Sequence, residues 1–251
     1  MKLKTLIALF WYLSFLGCAV HRVPEPAAPL SEALQPPSLT DEQLMGLKIP
    51  HGLIQDSESE KYAHKQVMQA FLKLREKAAQ DGWNLTLISG YRTFGYQRRI
   101  WNRQYKELAK DNQLTEKELV KGVLTYTALP GLSRHHWGTE LDISEKSLRG
   151  QLYGGDANPP KKVSDFYHWM EENAPTFGFC KVYKGQSGII NEEPWHWSYR
   201  AFSQIYERQF QSIPDFKRIL NDKVLGVDYI TKHFKQIYEW QMQSVDPTCS
   251  S

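Results

Sequence analysis

The sequence predicts an α+β fold: a small, mainly antiparallel sheet flanked by helices, with a helical extension at the C-terminus. Three observations predict it. Apolar residues recur at helical spacing through residues 60–80; short strand-like runs at 85–91, 140–144 and 193–199 are separated by helices and Gly/Pro breaks; and beyond Tyr199 only helical spacing recurs.

Taken in order, Val67, Ala70, Phe71, Leu74 and Ala78 form the apolar stripe of the first helix, which Asp81-Gly82 stops. Residues 85–91 read as a buried strand. Residues 96–108 read as a second helix with Ile100, Tyr105 and Leu108 turned partly inward, and Thr115 with Glu118 forms a capping box that opens a third, short helix. Pro130-Gly131 breaks the chain before a strand at 140–144, and residues 148–162, rich in Gly, Asn and Pro, read as an exposed loop. Ser164 is the expected cap of a helix over 165–173. Phe177-Gly178-Phe179 then leads into a strand through Val182-Tyr183, a Gly-rich turn and a final strand over 193–199. In residues 201–251, Phe216, Ile219, Leu220, Tyr229, Ile230, Phe234, Ile237 and Tyr238 predict helices packed on the preceding domain.

Composition bounds the function. At 251 residues and 41% hydrophobic content the chain supports one full-sized catalytic domain, expected over 41–200. A net charge of +3, with Lys and Arg scattered, gives no basis for nucleic-acid binding. Residues 1–18 read as an export signal: Lys2 and Lys4 precede an apolar core at 6–16 that is too short to span a bilayer comfortably. Gly17-Cys18 resembles a lipoprotein processing site, with Phe15 where that pattern prefers Leu, so the expectation is a lipid on Cys18 and a membrane anchor. Ordinary cleavage after Ala19 is the alternative. Residues 19–40, with Pro24, Pro26, Pro29, Pro36 and Pro37, have the composition of an extended tether. In an exported chain Cys180 and Cys249 are free to form a disulfide, while a buried Cys180 thiol and a frayed tail at Cys249 remain the other reading.

The chemistry is concentrated in two segments. Ser133-Arg134-His135-His136-Trp137-Gly138-Thr139-Glu140-Leu141-Asp142 and Glu193-Pro194-Trp195-His196 together form a divided zinc-site pattern. A catalytic zinc takes three His or carboxylate ligands and keeps a fourth position for water. His135, Asp142 and His196 are the candidate ligands; Glu193, three residues before His196, is the candidate general base. Each segment alone is weak evidence, since His and Asp beside aromatics are usually structural. The pair is far more specific. His136 reads as packed behind the site, on the view that neighbouring strand side chains face opposite ways, and Trp137, Trp195 and Trp197 read as walls of the cleft and core.

Leu87-Ile88-Ser89-Gly90-Tyr91-Arg92-Thr93 adds a third motif. The order Ser-Gly-Tyr-Arg, Ser-x-His-x-x-Gly-x-x-x-Asp, Glu-x-Trp-His resembles the VanY-type zinc D-alanyl-D-alanine carboxypeptidases, whose wider relatives include lysostaphin-like peptidases and the hedgehog signalling domain. It covers residues 60–199, and implies the same fold. The resemblance implies that His135, Asp142 and His196 bind Zn2+, that Glu193 is the base and that Arg92 stabilises charge on the substrate carbonyl. It also implies a place for the Ser133 hydroxyl near the substrate's terminal residue, and Gln97 matches a glutamine that often follows the arginine; both are the candidate substrate-binding residues. Glu140 departs from it, standing where many members carry a small residue; a place near the metal and one in solvent are both open.

The expected function is therefore a zinc-dependent peptidase of the bacterial envelope, acting on peptidoglycan stem peptides as a carboxypeptidase that releases terminal D-alanine. The alternatives are an endopeptidase cutting within the stem peptide and a non-catalytic zinc domain that binds cell wall.

Overall fold

The protein is described by a computed structural model covering residues 35–148 and 159–250. The expected leader, Cys18, most of the proline-rich segment and the greater part of the expected 148–162 loop lie outside the described residues. Among those described, no helix is long and apolar enough to cross a membrane.

The first described helix is a single turn, α1 (Asp41–Leu44), started by a capping box between Thr40 and Gln43. A two-stranded hairpin follows, β1 (Leu53–Gln55) with β2 (Tyr62–His64), and then α2 (Lys65–Gln80). The helix expected from residue 60 thus starts five residues later. Its apolar stripe begins only at Val67, so nothing in 60–64 required helix, and Glu60 turns the chain at φ 60° into the hairpin. Arg75 of α2 ties that turn down through a two-pronged pair with Asp56, at 2.9 and 2.8 Å.

The main sheet comprises β3 (Leu85–Ser89), β4 (Glu140–Glu145), β5 (Phe179–Lys181) and β6 (His196–Tyr199). Its order is β3-β4-β6-β5 and every pairing is antiparallel. Between β3 and β4 run α3 (Phe94–Leu108), capped by Thr93, and α4 (Glu116–Leu124), whose capping box at Thr115 and Glu118 is formed as the sequence predicts. Between β4 and β5 lies α5 (Lys161–Asn173). It begins a turn before the expected cap: Ser164 sits inside the helix, its N–H on Pro160 O, because Val163 shares the buried stripe of Phe166 and Met170.

The final strand also starts later than 193. Pro194 opens a turn in which His196 N–H reaches Glu193 O at 3.1 Å, and Glu193 therefore precedes β6. Val182-Tyr183 lies just beyond β5, although Val182 N–H still bonds His196 O.

Period-two alternation divides the sheet into two chemistries. Leu141, Ile143 and Trp197 face a core that includes Phe71, Leu74, Leu85, Leu87 and Phe166. Each such buried side chain contributes about 1.5–3 kcal/mol. Glu140, Asp142, His196 and Ser198 take the opposite face.

The C-terminal segment folds as α6 (Arg200–Gln211), α7 (Val227–Lys232) and α8 (Phe234–Gln243). Phe202, Tyr206, Phe210, Ile230 and Ile237 join the main core cluster. Polar contacts add direction: Trp101 Nε1 donates to Leu225 O at 2.9 Å, and Gln241 Oε1 accepts from Leu129 N at 3.2 Å. A disulfide between Cys180 and Cys249, left open by the sequence, ties the tail to β5.

Candidate metal centre

Asp142 and His196 are brought together by sheet register. They are direct partners across β4 and β6, so two side chains 54 positions apart in sequence share one rung and one face. His135 arrives from outside the sheet, on a 3₁₀ turn, Arg134–Trp137, that ends at Gly138 with φ 73°. A side chain at 138 would be strained at that φ, and its Cβ would stand 2.7 Å from Leu53 Cδ2. One ligand atom from each of His135, Asp142 and His196 lies within 4.8 Å of the other two, and all three residues are buried.

Hydrogen bonds orient the ring of His135. Its Nδ1 is 2.7 Å from Gly90 O, an acceptor, so Nδ1 carries the proton and Nε2 presents a lone pair. That lone pair faces Asp142 Oδ1 at 3.3 Å, and both atoms are buried without a hydrogen-bond partner. Burial, then the nearby Arg92 charge, holds His135 down at about 4. Asp142 is kept well below the ordinary carboxylate range: burial opposes this, but His135 and Arg92 outweigh it. Two buried, unpaired electron-pair donors converging on one point fit a metal ion.

His196 lies between carboxylates. Nδ1 is 3.1 Å from Glu193 Oε2 and 3.6 Å from Asp142 Oδ1, while Nε2 is 3.1 Å from Glu140 Oε2. Burial would lower its pKa, yet Glu140, Glu193 and Asp142 raise it to about 9. Glu193, 5% exposed, is raised by burial against the pull of His196. Glu140 is fully buried and faces neither solvent nor the cleft. Burial raises it, but Arg134 and His196 hold it down at about 2.

Arg92 lies beside the candidate ligands. Its Nη2 pairs with Asp142 Oδ2, Nε donates to Ser89 Oγ at 2.7 Å and Nη1 to Gln97 Oε1 at 3.3 Å. Gln97 is 1% exposed and its amide also donates to Ala128 O at 3.0 Å. It braces Arg92 as well as lining the cleft. Ser133 stands at the head of the 3₁₀ turn and lines the same cleft. His136 is buried behind the site, Nδ1 on Arg92 O at 2.7 Å and Nε2 accepting from Gly131 N at 3.1 Å. Its inward place is set by the 3₁₀ turn and these two bonds, since 134–137 is not the strand that sequence reasoning assumed. Trp137 and Trp197 are core residues, and Trp195 lines the cleft.

The cleft, about 500 Å³, holds all three ligand candidates with Glu193, Arg92, Ser133, Tyr126 and Tyr183. A second groove of about 710 Å³ shares Ile88, Ser89, Arg92 and Tyr96 with it and continues past Tyr62 and Tyr91. Sequence reasoning missed Tyr183, whose ring meets His196 edge-on at 4.9 Å; no motif marks it. Ser89 was carried within the Ser-Gly-Tyr-Arg motif without a role.

Fold and site together define an α+β protein whose cleft is built around a His-Asp-His cluster. The sequence model of the VanY family, described as D-alanyl-D-alanine carboxypeptidase, matches residues 60–202, and the chain belongs to this family. An uncharacterized protein of Haemophilus influenzae is 30% identical over 128 residues, which span 47% of this chain and 96% of that one. A D-alanyl-D-alanine carboxypeptidase of Enterococcus faecalis is 28% identical over 141 residues, 54% of this chain and 48% of the relative, so the likeness spans about half of that protein. Among solved structures, VanYB in complex with D-Alanine-D-Alanine is similar at a TM-score of 0.50 and 25% identity, covering 64% of this chain and 84% of that one.

Proposed function

We propose that the protein is a zinc-dependent carboxypeptidase of the bacterial envelope that removes terminal D-alanine from peptidoglycan stem peptides. The observation that carries the metal reading is the facing pair of unpartnered buried atoms, His135 Nε2 and Asp142 Oδ1, beside His196. A donor set of two histidines and one aspartate suits zinc and leaves a position open. Membership of the VanY family, described as D-alanyl-D-alanine carboxypeptidase, supports the substrate and the exported location. The leader and Cys18 support a lipid anchor.

When bound, zinc supplies Lewis acidity, polarising a carbonyl oxygen and making water acidic near neutral pH. The remaining steps fall to side chains of this chain. Glu193, whose burial raises its affinity for a proton, takes the proton of the attacking water and hands it to the departing amine. Arg92 sits where charge develops on the scissile carbonyl; Ser89, Gln97 and Asp142 hold its guanidinium in place before substrate arrives. The Ser133 hydroxyl, with Gln97 lining the same cleft, serves the substrate's terminal carboxylate, which needs donors once desolvated. The adjoining groove past Tyr62 accommodates the preceding part of the stem peptide.

Rates on a pentapeptide ending in D-Ala-D-Ala and on its C-terminal amide, with products weighed by mass spectrometry, test this reading. Release of one alanine from the free acid and little from the amide is expected. Equal rates on both would replace the carboxypeptidase reading with an endopeptidase, and zinc-loaded protein inert on every muropeptide would favour a binding domain.

A further inference from the structure

Behind the metal face, a chain of buried polar groups leads from His196 to Ser250. Glu140 Oε2 lies 3.1 Å from His196 Nε2. Glu140 Oε1 accepts from Ser198 Oγ at 2.7 Å, Thr139 Oγ1 at 3.2 Å and Arg134 Nε at 3.3 Å. Arg134 continues the chain, donating from Nη1 to Glu207 Oε1 at 3.2 Å and from Nη2 to Ser198 Oγ at 3.3 Å. Glu207 Oε2 accepts from Ser250 Oγ at 3.1 Å. Arg134, Glu140 and Glu207 are each no more than 2% exposed.

Three buried charges are a costly way to stabilise a fold, because apolar residues of similar volume would do as well or better. Their arrangement has another use. A neutral imidazole carries one N–H, and a carboxylate can only accept, so Glu140 demands that the proton sit on Nε2 and leaves the Nδ1 lone pair pointing at Asp142 and Glu193. Glu193 makes the opposite demand at Nδ1, from the same 3.1 Å. Glu140 must therefore be held in place, and Ser198, Thr139 and Arg134 do so from within the domain, whereas Glu207 and Ser250 lie beyond residue 202, where the family match ends.

We propose that Glu140 is a positioning residue for His196, and that the C-terminal segment serves the metal centre by holding Arg134, and through it Glu140, with Glu207. The inference rests on the zinc-site reading and deepens it. It gives the segment after residue 202 a function besides burial of core: it fixes the tautomer and orientation of a metal ligand. Outer partners of this kind contribute about 10–100-fold to metal affinity.

The test compares the purified wild-type protein with Glu140→Gln and Glu207→Gln. Zinc affinity is read by competition with a chromophoric chelator, cobalt(II) binding by its visible absorption, and the metal-free fold by circular dichroism and melting temperature. Glu140→Gln keeps the volume, but with its oxygen held by Arg134 and Ser198 it offers an N–H to Nε2, which favours the wrong tautomer. Expected is an about 10–100-fold weaker zinc affinity with an altered cobalt spectrum in a protein that still folds. Glu207→Gln, which leaves Glu140 and His196 untouched, should weaken zinc in the same direction by a smaller factor, and it carries the test if Glu140→Gln fails to fold. Wild-type affinity and cobalt spectrum in folded Glu207→Gln would overturn the role of the C-terminal segment, and the same result in Glu140→Gln would overturn the positioning role. A wild-type protein that binds neither metal would instead overturn the zinc-site reading itself.

Discussion

Arg92 occupies one carboxylate oxygen of Asp142, Oδ2, and leaves the other, Oδ1, facing His135 Nε2 with no partner. One guanidinium thus leaves a symmetric carboxylate with a single free donor atom while standing at the cleft itself. The prediction is that Arg92→Ala keeps stoichiometric zinc but loses about 10²–10³ in kcat, the usual cost of one charge-stabilising donor. Metal analysis beside steady-state kinetics checks it; unchanged kcat would leave Arg92 with only the task of orienting Asp142.

Glu193→Gln separates chemistry from binding. The glutamine retains size and can still hydrogen-bond His196, so zinc content and melting temperature should stay near wild type while turnover falls at least about a hundredfold. Near wild-type turnover would show that another group takes the proton.

At the hairpin turn, Asp56 is 2% exposed and accepts from Arg75 and from Ser59 Oγ at 2.6 Å. Burial opposes ionisation, but these partners hold its pKa below the ordinary value. A depressed carboxylate pKa stabilises the fold above the unfolded value of about 3.9, and the benefit is lost as pH falls through the lower folded value. Asp56→Asn should accordingly cost roughly 1.5–3 kcal/mol at pH 7, the worth of charged hydrogen bonds. The gap to wild type should begin to shrink below about pH 4 and close once pH has fallen through the lower folded value, as read by urea melts across pH.

The Cys180–Cys249 disulfide closes a loop of 69 positions. Replacing both with Ser should lower stability by about 4 kcal/mol in the chain-entropy account. Urea melts of the double variant, with and without reductant, check this; the variant should be insensitive to reductant whereas the wild type is not.

What could be read in advance followed the range of each interaction. That His135, Asp142, Glu193 and His196 share one cleft was legible because each of the two segments that carry them is short and dense in metal-binding side chains, and the Thr115 cap because its partner is three residues away. The β1–β2 hairpin was not: two three-residue strands carry too few apolar positions to show a period. Ser164 misled because a hydroxyl favours caps without excluding helix interiors, and Val163 buries the preceding turn. Glu140 remained undecided between metal and solvent, since what settles it is Arg134, itself held by Glu207 73 positions away. The pairing of Cys180 with Cys249 depended likewise on where the C-terminal helices end.

Placing Asp142 and His196 on one rung makes the cluster depend on the residue count of its strands as well as on residue identity. A single insertion within β4 would rotate every later side chain to the other face, sending Asp142 into the apolar layer and a leucine or isoleucine toward the cleft. Such an event would displace a candidate ligand and disturb the core in one step. Related chains should therefore accumulate their length differences in connections such as 184–192, outside the ladder, while the number of residues from Gly138 to Asp142 stays constant.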